Sequence, residues 1–517
     1  MNKRLSFAVR VVGTCAFAVS TLAQPPSSLW RLIPSVALQR QGAATTAKYL
    51  VKLMQLTPPK LSVSATLPIN GNALKMETTR PGDIPQVLKE GWPALIRNLR
   101  ISDGSGRPIE VASTGKAGWE LKQTHTGWLT LNYEVDYSMA ESLNWPAPRE
   151  AAFKDSAHFV FAGRSAFITT SDITSSVVTF SLPHPWRADV PWNPTGGLDN
   201  TFAVEVPKDL TTNLIVFTAT VPNEVTAGNF HVFFTPMGPW MQASPEVKRV
   251  LQAVVPRFVS LMHFQGHGRY SVVLLPLQED AGEAYRNSFA LTNEQQPSSS
   301  NLPSWGHAIA HEIFHYWNGL RLRGSDYASS QWFQEGFTDY AADLAMVNSG
   351  LVSPDSFRQK LGQHIRNYRR LTTALNAPGD QKGPPLYGGG ALVAFCWDVQ
   401  IRHATGGKRS IVDFLRALWR QTNGGQREYA WKDIQAALDS TASLDWNAFF
   451  QNYISGTEKL PLAKVFKQAG LKIAESTDGP LVQQDHSASA KARALWRALV
   501  QGRLGFQLGD DAGGTTA

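Results

Sequence analysis

The chain has 517 residues, 43% of them hydrophobic and 17% charged, with 12 histidines and two cysteines. That length suits about three domains with a sizeable core, and the composition excludes a disordered or low-complexity protein. The formal charge of +8 includes Lys3, Arg4 and Arg10, leaving about +5 (8 − 3) without the leader; no dense Lys/Arg block accompanies it, so it reads as solubility and no nucleic-acid partner is expected.

Residues 1–23 read as a secretory signal peptide, with Lys3 and Arg4 as a basic start, Val11 to Leu22 as an apolar core and Ala23 at the cleavage point. The mature protein is then expected in the periplasm or secreted. Lipidation at Cys15 ranks second, because Thr14 is larger than such a site favours. After cleavage only Cys396 remains, in the apolar run Ala391 to Trp397, which predicts a buried thiol and no intramolecular disulfide. No later stretch offers about 18 continuous apolar residues, so no transmembrane anchor beyond the signal peptide is expected.

Residues 24–236 read as a β-rich N-terminal region. Leu129, Leu131, Tyr133, Val135 and Tyr137 alternate with other residues, and Leu61–Leu67, Val177–Leu182, Phe202–Val206 and Leu214–Val221 are shorter β-like runs. From Ser244 the period becomes helical, with Val247, Val250, Leu251, Val254, Phe258 and Leu261 on one face of a helix that contains Pro256. A strand over Tyr270 to Leu275 follows, leading into Gly282 and Glu283. Later helical segments are Pro354–Leu371, Gly389–His403, Ser410–Gln421 and Trp431–Leu438; residues 237–475 therefore form a second, helix-rich domain, and 476–517 a tail with one helical stretch around Ala488 to Val500.

The chemistry concentrates in His311-Glu312-Ile313-Phe314-His315 and Gln334-Glu335-Gly336-Phe337-Thr338-Asp339. On a helix, His311 and His315 stand one turn apart and both reach a single ion, while Glu312 is placed to take a proton from an activated water. Catalytic zinc uses three protein ligands and an open position, and Glu335 supplies the third ligand 20 residues after His315. Pro303 fits a helix start and Gly319 a stop. His307 continues the series, but it would lie about 12 Å from His315 along the axis, so it reads as a polar residue of the helix face and not as a ligand. Asp339, four residues after Glu335, can accept a hydrogen bond from the far nitrogen of a ligand histidine.

These blocks, with Trp317-Asn318, Arg321 and Arg323, resemble the zinc site of the glycyl aminopeptidase family of gluzincin metallopeptidases, related to the zinc aminopeptidases that include leukotriene hydrolase-type enzymes. The resemblance extends through Tyr387-Gly388-Gly389-Gly390 and Tyr453 to Leu462, and covers most of residues 45 to 475. It implies an α+β multidomain protein with a thermolysin-like zincin catalytic domain, one zinc ion per chain, and a peptide or protein substrate. Similarity to the related zinc aminopeptidases also implies that Tyr387 donates a hydrogen bond to the developing oxyanion, although Gly389 stands where those enzymes have a lysine. Family members often carry a PDZ domain, for which the tail after 475 is too short.

One segment departs from the family. Where relatives have Gly-Gly-Leu-Glu-His-Arg-Asn-Ser, with a glutamate that holds the substrate's amino group, this chain has Ala281-Gly282-Glu283-Ala284-Tyr285-Arg286-Asn287-Ser288. Glu283 is one residue early. Either a bulge returns it to the cleft beside Gly282, or the amino-terminal anchor is gone, because one residue along a strand switches faces. The expected activity is that of an aminopeptidase releasing small N-terminal residues such as glycine. The alternatives are a zinc endopeptidase or other amide hydrolase, and a non-catalytic periplasmic binding protein on a peptidase scaffold.

Overall fold

The computed structural model describes residues 45–502 except 79–84, 142–151, 198, 222, 265–267, 277–280, 294 and 379–382. The expected signal peptide over residues 1–23, Cys15 and residues 503–517 lie outside the described residues. The chain divides into two compact units, one built from the residues up to Pro222 together with Tyr285–Ser288, the other from Asn223–Ala284 and the residues after Phe289.

In the N-terminal unit the larger sheet runs in the order Asn193–Pro194, Thr201–Val204, Ser175–Ser181, Thr46–Leu56, Pro59–Lys75, Gly118–Asp136 and Ile96–Asp103, with Val111–Ser113 paired onto Gly118–Asp136. Its pairings are antiparallel apart from Thr46–Leu56 with Ser175–Ser181. A second sheet holds Ala152–Lys154, His158–Ala162, Leu214–Thr218 and Arg187–Asp189. The alternation read from the sequence is the burial pattern of Gly118–Asp136, where Leu129, Leu131, Tyr133 and Val135 are buried. These residues share one core with Phe159, Phe161 and Phe217 of the smaller sheet, the packing expected of two stacked sheets.

The second unit begins earlier than the strand pattern predicts. Asn223–Ala227 and Phe230–Pro236 alternate like the strands before them, but they pair with each other and with Gly268–Leu274 in a separate five-stranded sheet. Alternation identifies a strand without naming its partner, so the boundary falls at 222/223 and not at 236. In this sheet Ser288–Thr292 lies between Gly268–Leu274 and the edge strand Ala281–Tyr285. The helix Ser244–Leu261 buries Val247, Val250, Leu251, Val254 and Phe258, as its periodicity requires.

Helices make up most of the remainder. Tyr327–Asn348 is capped by Asp326, whose side chain accepts from Ser329 N, and it is buried almost throughout its length from Ser330 to Val347. Gly383–Ala404 crosses it at close range: a Cβ at Gly336 would collide with Gly390, and one at Gly390 with the Trp332 carbonyl. Glycine is therefore needed at both positions, and the helix already includes Gly383 to Gly388, ahead of the start expected at Gly389. Tyr340 locks the crossing by donating to Asp398 at 2.9 Å, and Asp398 pairs with Arg402 at 2.8 Å, all three buried. Cys396 is buried in the same helix, and burial pushes its thiol well up.

The segment after 475 does not form a detached tail. A hairpin of Leu471–Ser476 and Gly479–Gln484, then the helix Ala490–Val500, place Leu471, Val482, Leu495, Trp496 and Leu499 in the core of the second unit. Among the described residues no helix is long and apolar enough to cross a membrane.

Candidate metal centre

The first motif helix is Leu302–Phe314, with Pro303 in its first turn. It ends sooner than Gly319, because His315 is its C-cap and the chain folds back so that the Asn318 carbonyl accepts from His315 Nδ1 at 2.9 Å. Asn318 then fastens this turn to the second motif helix. Its Nδ2 donates to the carbonyls of Phe333 (3.2 Å) and Gln334 (3.0 Å) and to Thr338 Oγ1 (3.1 Å).

The result is a convergent donor set. His311 Nε2 and His315 Nε2 are 3.0 Å apart, and each is 3.5 Å from Glu335 Oε2. Among the described residues, His311, His315 and Glu335 are the group whose donor atoms all lie within 4.8 Å of one another, and all three are buried. The far nitrogens are both engaged: Asp339 Oδ1 lies 2.9 Å from His311 Nδ1, and Asn318 O holds His315 Nδ1. With Nδ1–H donated backwards, both Nε2 lone pairs point at one place. Two nitrogens and a carboxylate, preoriented and buried around one point, fit a divalent cation with an open coordination position.

The electrostatics of these residues agree with that fit. Burial pulls His311 down, but its hydrogen bonds to Asp339 and Glu335 outweigh this and raise it to about 10. His315 is raised as well, burial being overcome by the charge of Glu335. Burial pushes Glu335 and Asp339 up, yet the facing histidines hold both well below the usual carboxylate range. Three negative groups crowd this pocket, and a cation replacing the imidazole protons satisfies them.

Glu312 is buried beside the triad, on the same helix. The edge strand Ala281–Tyr285 passes directly over it: a Cβ at Gly282 would collide with the Glu312 carboxylate. Only glycine lets the strand approach so closely. Alternation then puts Ala284 on the same face as Gly282, and Glu283 on the opposite face, where it is buried.

Tyr387 lies in the first turns of Gly383–Ala404, inside a helix and not capping a turn, with its ring nearly parallel to that of His311 at 6.0 Å. Arg321 is occupied structurally, stacked on the Tyr316 ring at 3.4 Å and donating to the Tyr316 carbonyl. Arg323 faces Glu428 at 3.8 Å. Arg286 and Asn287 are likewise structural, pairing with Asp209 and Asn213 within the N-terminal unit. His307, read as a polar helix-face residue, is partly buried, with its Nε2 3.2 Å from Asp343 Oδ1. The signal for that contact was present, since Asp343 extends the series Glu335, Asp339 by one more turn.

Comparison with known proteins follows this geometry. A family model described as M61 glycyl aminopeptidase matches residues 305–380, and the Peptidase M61 N-terminal domain matches residues 49–211. No curated protein matches the chain. Among solved structures, an aminopeptidase N family protein from Idiomarina loihiensis aligns with a TM-score of 0.68 at 17% identity, covering 83% of this chain and 79% of that one. An M1 zinc metallopeptidase from Deinococcus radiodurans aligns with a TM-score of 0.51 at 14% identity over 82% of this chain and 96% of its own. A variant of that enzyme bound to a Tyr-Ser-Ala substrate gives 0.51 at 14% identity, over 81% and 95%. At these identities the likeness is one of fold.

Proposed function

We propose that this chain, which belongs to the M61 glycyl aminopeptidase family of metallopeptidases, is a zinc-dependent aminopeptidase that releases small N-terminal residues such as glycine from peptides. The observation that carries the metal chemistry is the convergence of His311, His315 and Glu335 with Glu312 alongside. A zinc ion held by those three residues supplies a Lewis acid for the scissile carbonyl and lowers the pKa of a water molecule. The chain's own groups do the rest. A Glu312 carboxylate oxygen accepts the proton of the attacking water as the C–O bond forms, then delivers it to the amide nitrogen as the C–N bond breaks. Asp339 and the Asn318 carbonyl hold the imidazoles in register. The edge position of Ala281–Tyr285 supports substrate binding by strand addition across Gly282. With a leader at residues 1–23, we place the enzyme in the periplasm or outside the cell.

Tyr387 is assigned as donor to the carbonyl oxygen, supported by its place beside the His311 ring. Removing the hydroxyl in Tyr387→Phe should lower kcat about 10²–10³-fold with little change in KM, as for loss of one oxyanion donor. Steady-state kinetics at saturating zinc separate the two parameters. A raised KM with unchanged kcat makes Tyr387 a pocket wall.

A second reading, a zinc endopeptidase, is favoured by one observation: Ala284, and not Glu283, shares the face of Gly282 toward Glu312. A free ammonium leaving water needs a carboxylate or several acceptors. One peptide, with its amino terminus free or acetylated, decides between the readings. For an aminopeptidase, acetylation abolishes cleavage; equal cleavage of both peptides makes the enzyme an endopeptidase.

A further inference from the structure

Behind the donor triad the two motif helices keep meeting through acid and histidine side chains. His307 and His311 are one turn apart on Leu302–Phe314, and Glu335, Asp339 and Asp343 are successive turns of Tyr327–Asn348. The two rows interdigitate. Asp339 Oδ1 lies 2.9 Å from His311 Nδ1 and 3.7 Å from His307 Nε2, and the same His307 nitrogen is 3.2 Å from Asp343 Oδ1. The other Asp343 oxygen lies 2.8 Å from Nε2 of His364, on the helix Pro354–Tyr368.

In the row His364–Asp343–His307–Asp339–His311, Asp339, Asp343 and His364 are 7%, 4% and 2% exposed, and the His307 side chain is 13% exposed. A carboxylate this deep is tolerated only with donors on its oxygens. On Asp343, one oxygen is hydrogen-bonded to His364 Nε2 at 2.8 Å and the other has His307 Nε2 beside it at 3.2 Å. The same His307 nitrogen stands 3.7 Å from Asp339, the residue that sets the orientation of His311.

We propose that Asp343 is a positioning residue for the metal centre: clamped by His364, it orients His307, which holds the Asp339 carboxylate against His311. The proposal rests on the reading of His311, His315 and Glu335 as metal ligands. Asp343 acts on zinc only through Asp339, and this separates it from a residue that merely stabilises the core.

Zinc affinity, measured by chelator competition, tests this on the full chain. Asp343→Asn removes the negative charge between His307 and His364, and should weaken zinc roughly 10-fold, the lower end for groups that orient a ligand. Asp339→Asn should weaken it further, and the double variant should be no weaker than Asp339→Asn alone. His307→Gln, which keeps a donor near the Nε2 position, should retain more affinity than His307→Leu; this comparison stands even if Asp343→Asn fails to fold. Unchanged affinity in Asp343→Asn, additive losses in the double variant, or equal affinities of the two His307 variants overturn the proposal while leaving the metal centre intact. Absence of zinc binding by the wild-type protein overturns the metal-centre reading itself, and this proposal with it.

Discussion

His315→Ala should abolish zinc binding and peptide hydrolysis together. The substitution removes one of three protein donors and, with it, the turn held by His315 Nδ1 and the Asn318 carbonyl. Two remaining ligands do not make the closed side of a catalytic zinc site, which uses three protein groups and one open position. The buried Glu335 also loses a facing imidazole, so the metal-free variant carries a less well compensated carboxylate. Metal analysis of the purified variant and a peptide assay check the expectation. Retention of about one zinc per chain would remove His315 from the ligand set.

The second large effect is the reverse in character. Glu312→Gln keeps the size and shape of the side chain under the Gly282 backbone, so zinc should remain bound, but the group can no longer take up a proton. Turnover should fall by roughly 10²–10⁴, the range for loss of a positioned general base. Because the site would be otherwise intact, the variant should still bind substrate peptide. A near-normal rate would show that another group moves the proton.

The candidate site was legible in the sequence because helical spacing converts directly into geometry. His311 and His315, and Glu335 and Asp339, are each four residues apart, and the structure places them as that spacing requires. The same reasoning carried one turn further would have found Asp343, but a carboxylate at i+8 is indistinguishable from a solvated one until its helix is known to be buried on nearly every side. His364 could not be found this way, since it arrives on a separate helix. The strand pattern located the β-rich region and the alternation of Leu129 to Val135, yet failed to assign Phe230–Pro236 to its sheet, because pairing is decided by contacts distant in the chain. The helix expected over Gly389–His403 is found within Gly383–Ala404, and the close crossing of Gly336 and Gly390 accounts for glycine inside a helix at a position where local propensity disfavours it. Glu283 illustrates the period of two most sharply, since a shift of one residue decides which face of the edge strand carries a charge.

The most direct test of the central claim is a zinc titration of metal-free wild-type protein, with peptide hydrolysis followed at each addition and Glu312→Gln titrated in parallel. The account predicts saturation at about one zinc per chain in both proteins, with activity rising in proportion only in the wild type. Hydrolysis by the metal-free protein at the full rate, or saturation without any gain in activity, would contradict it.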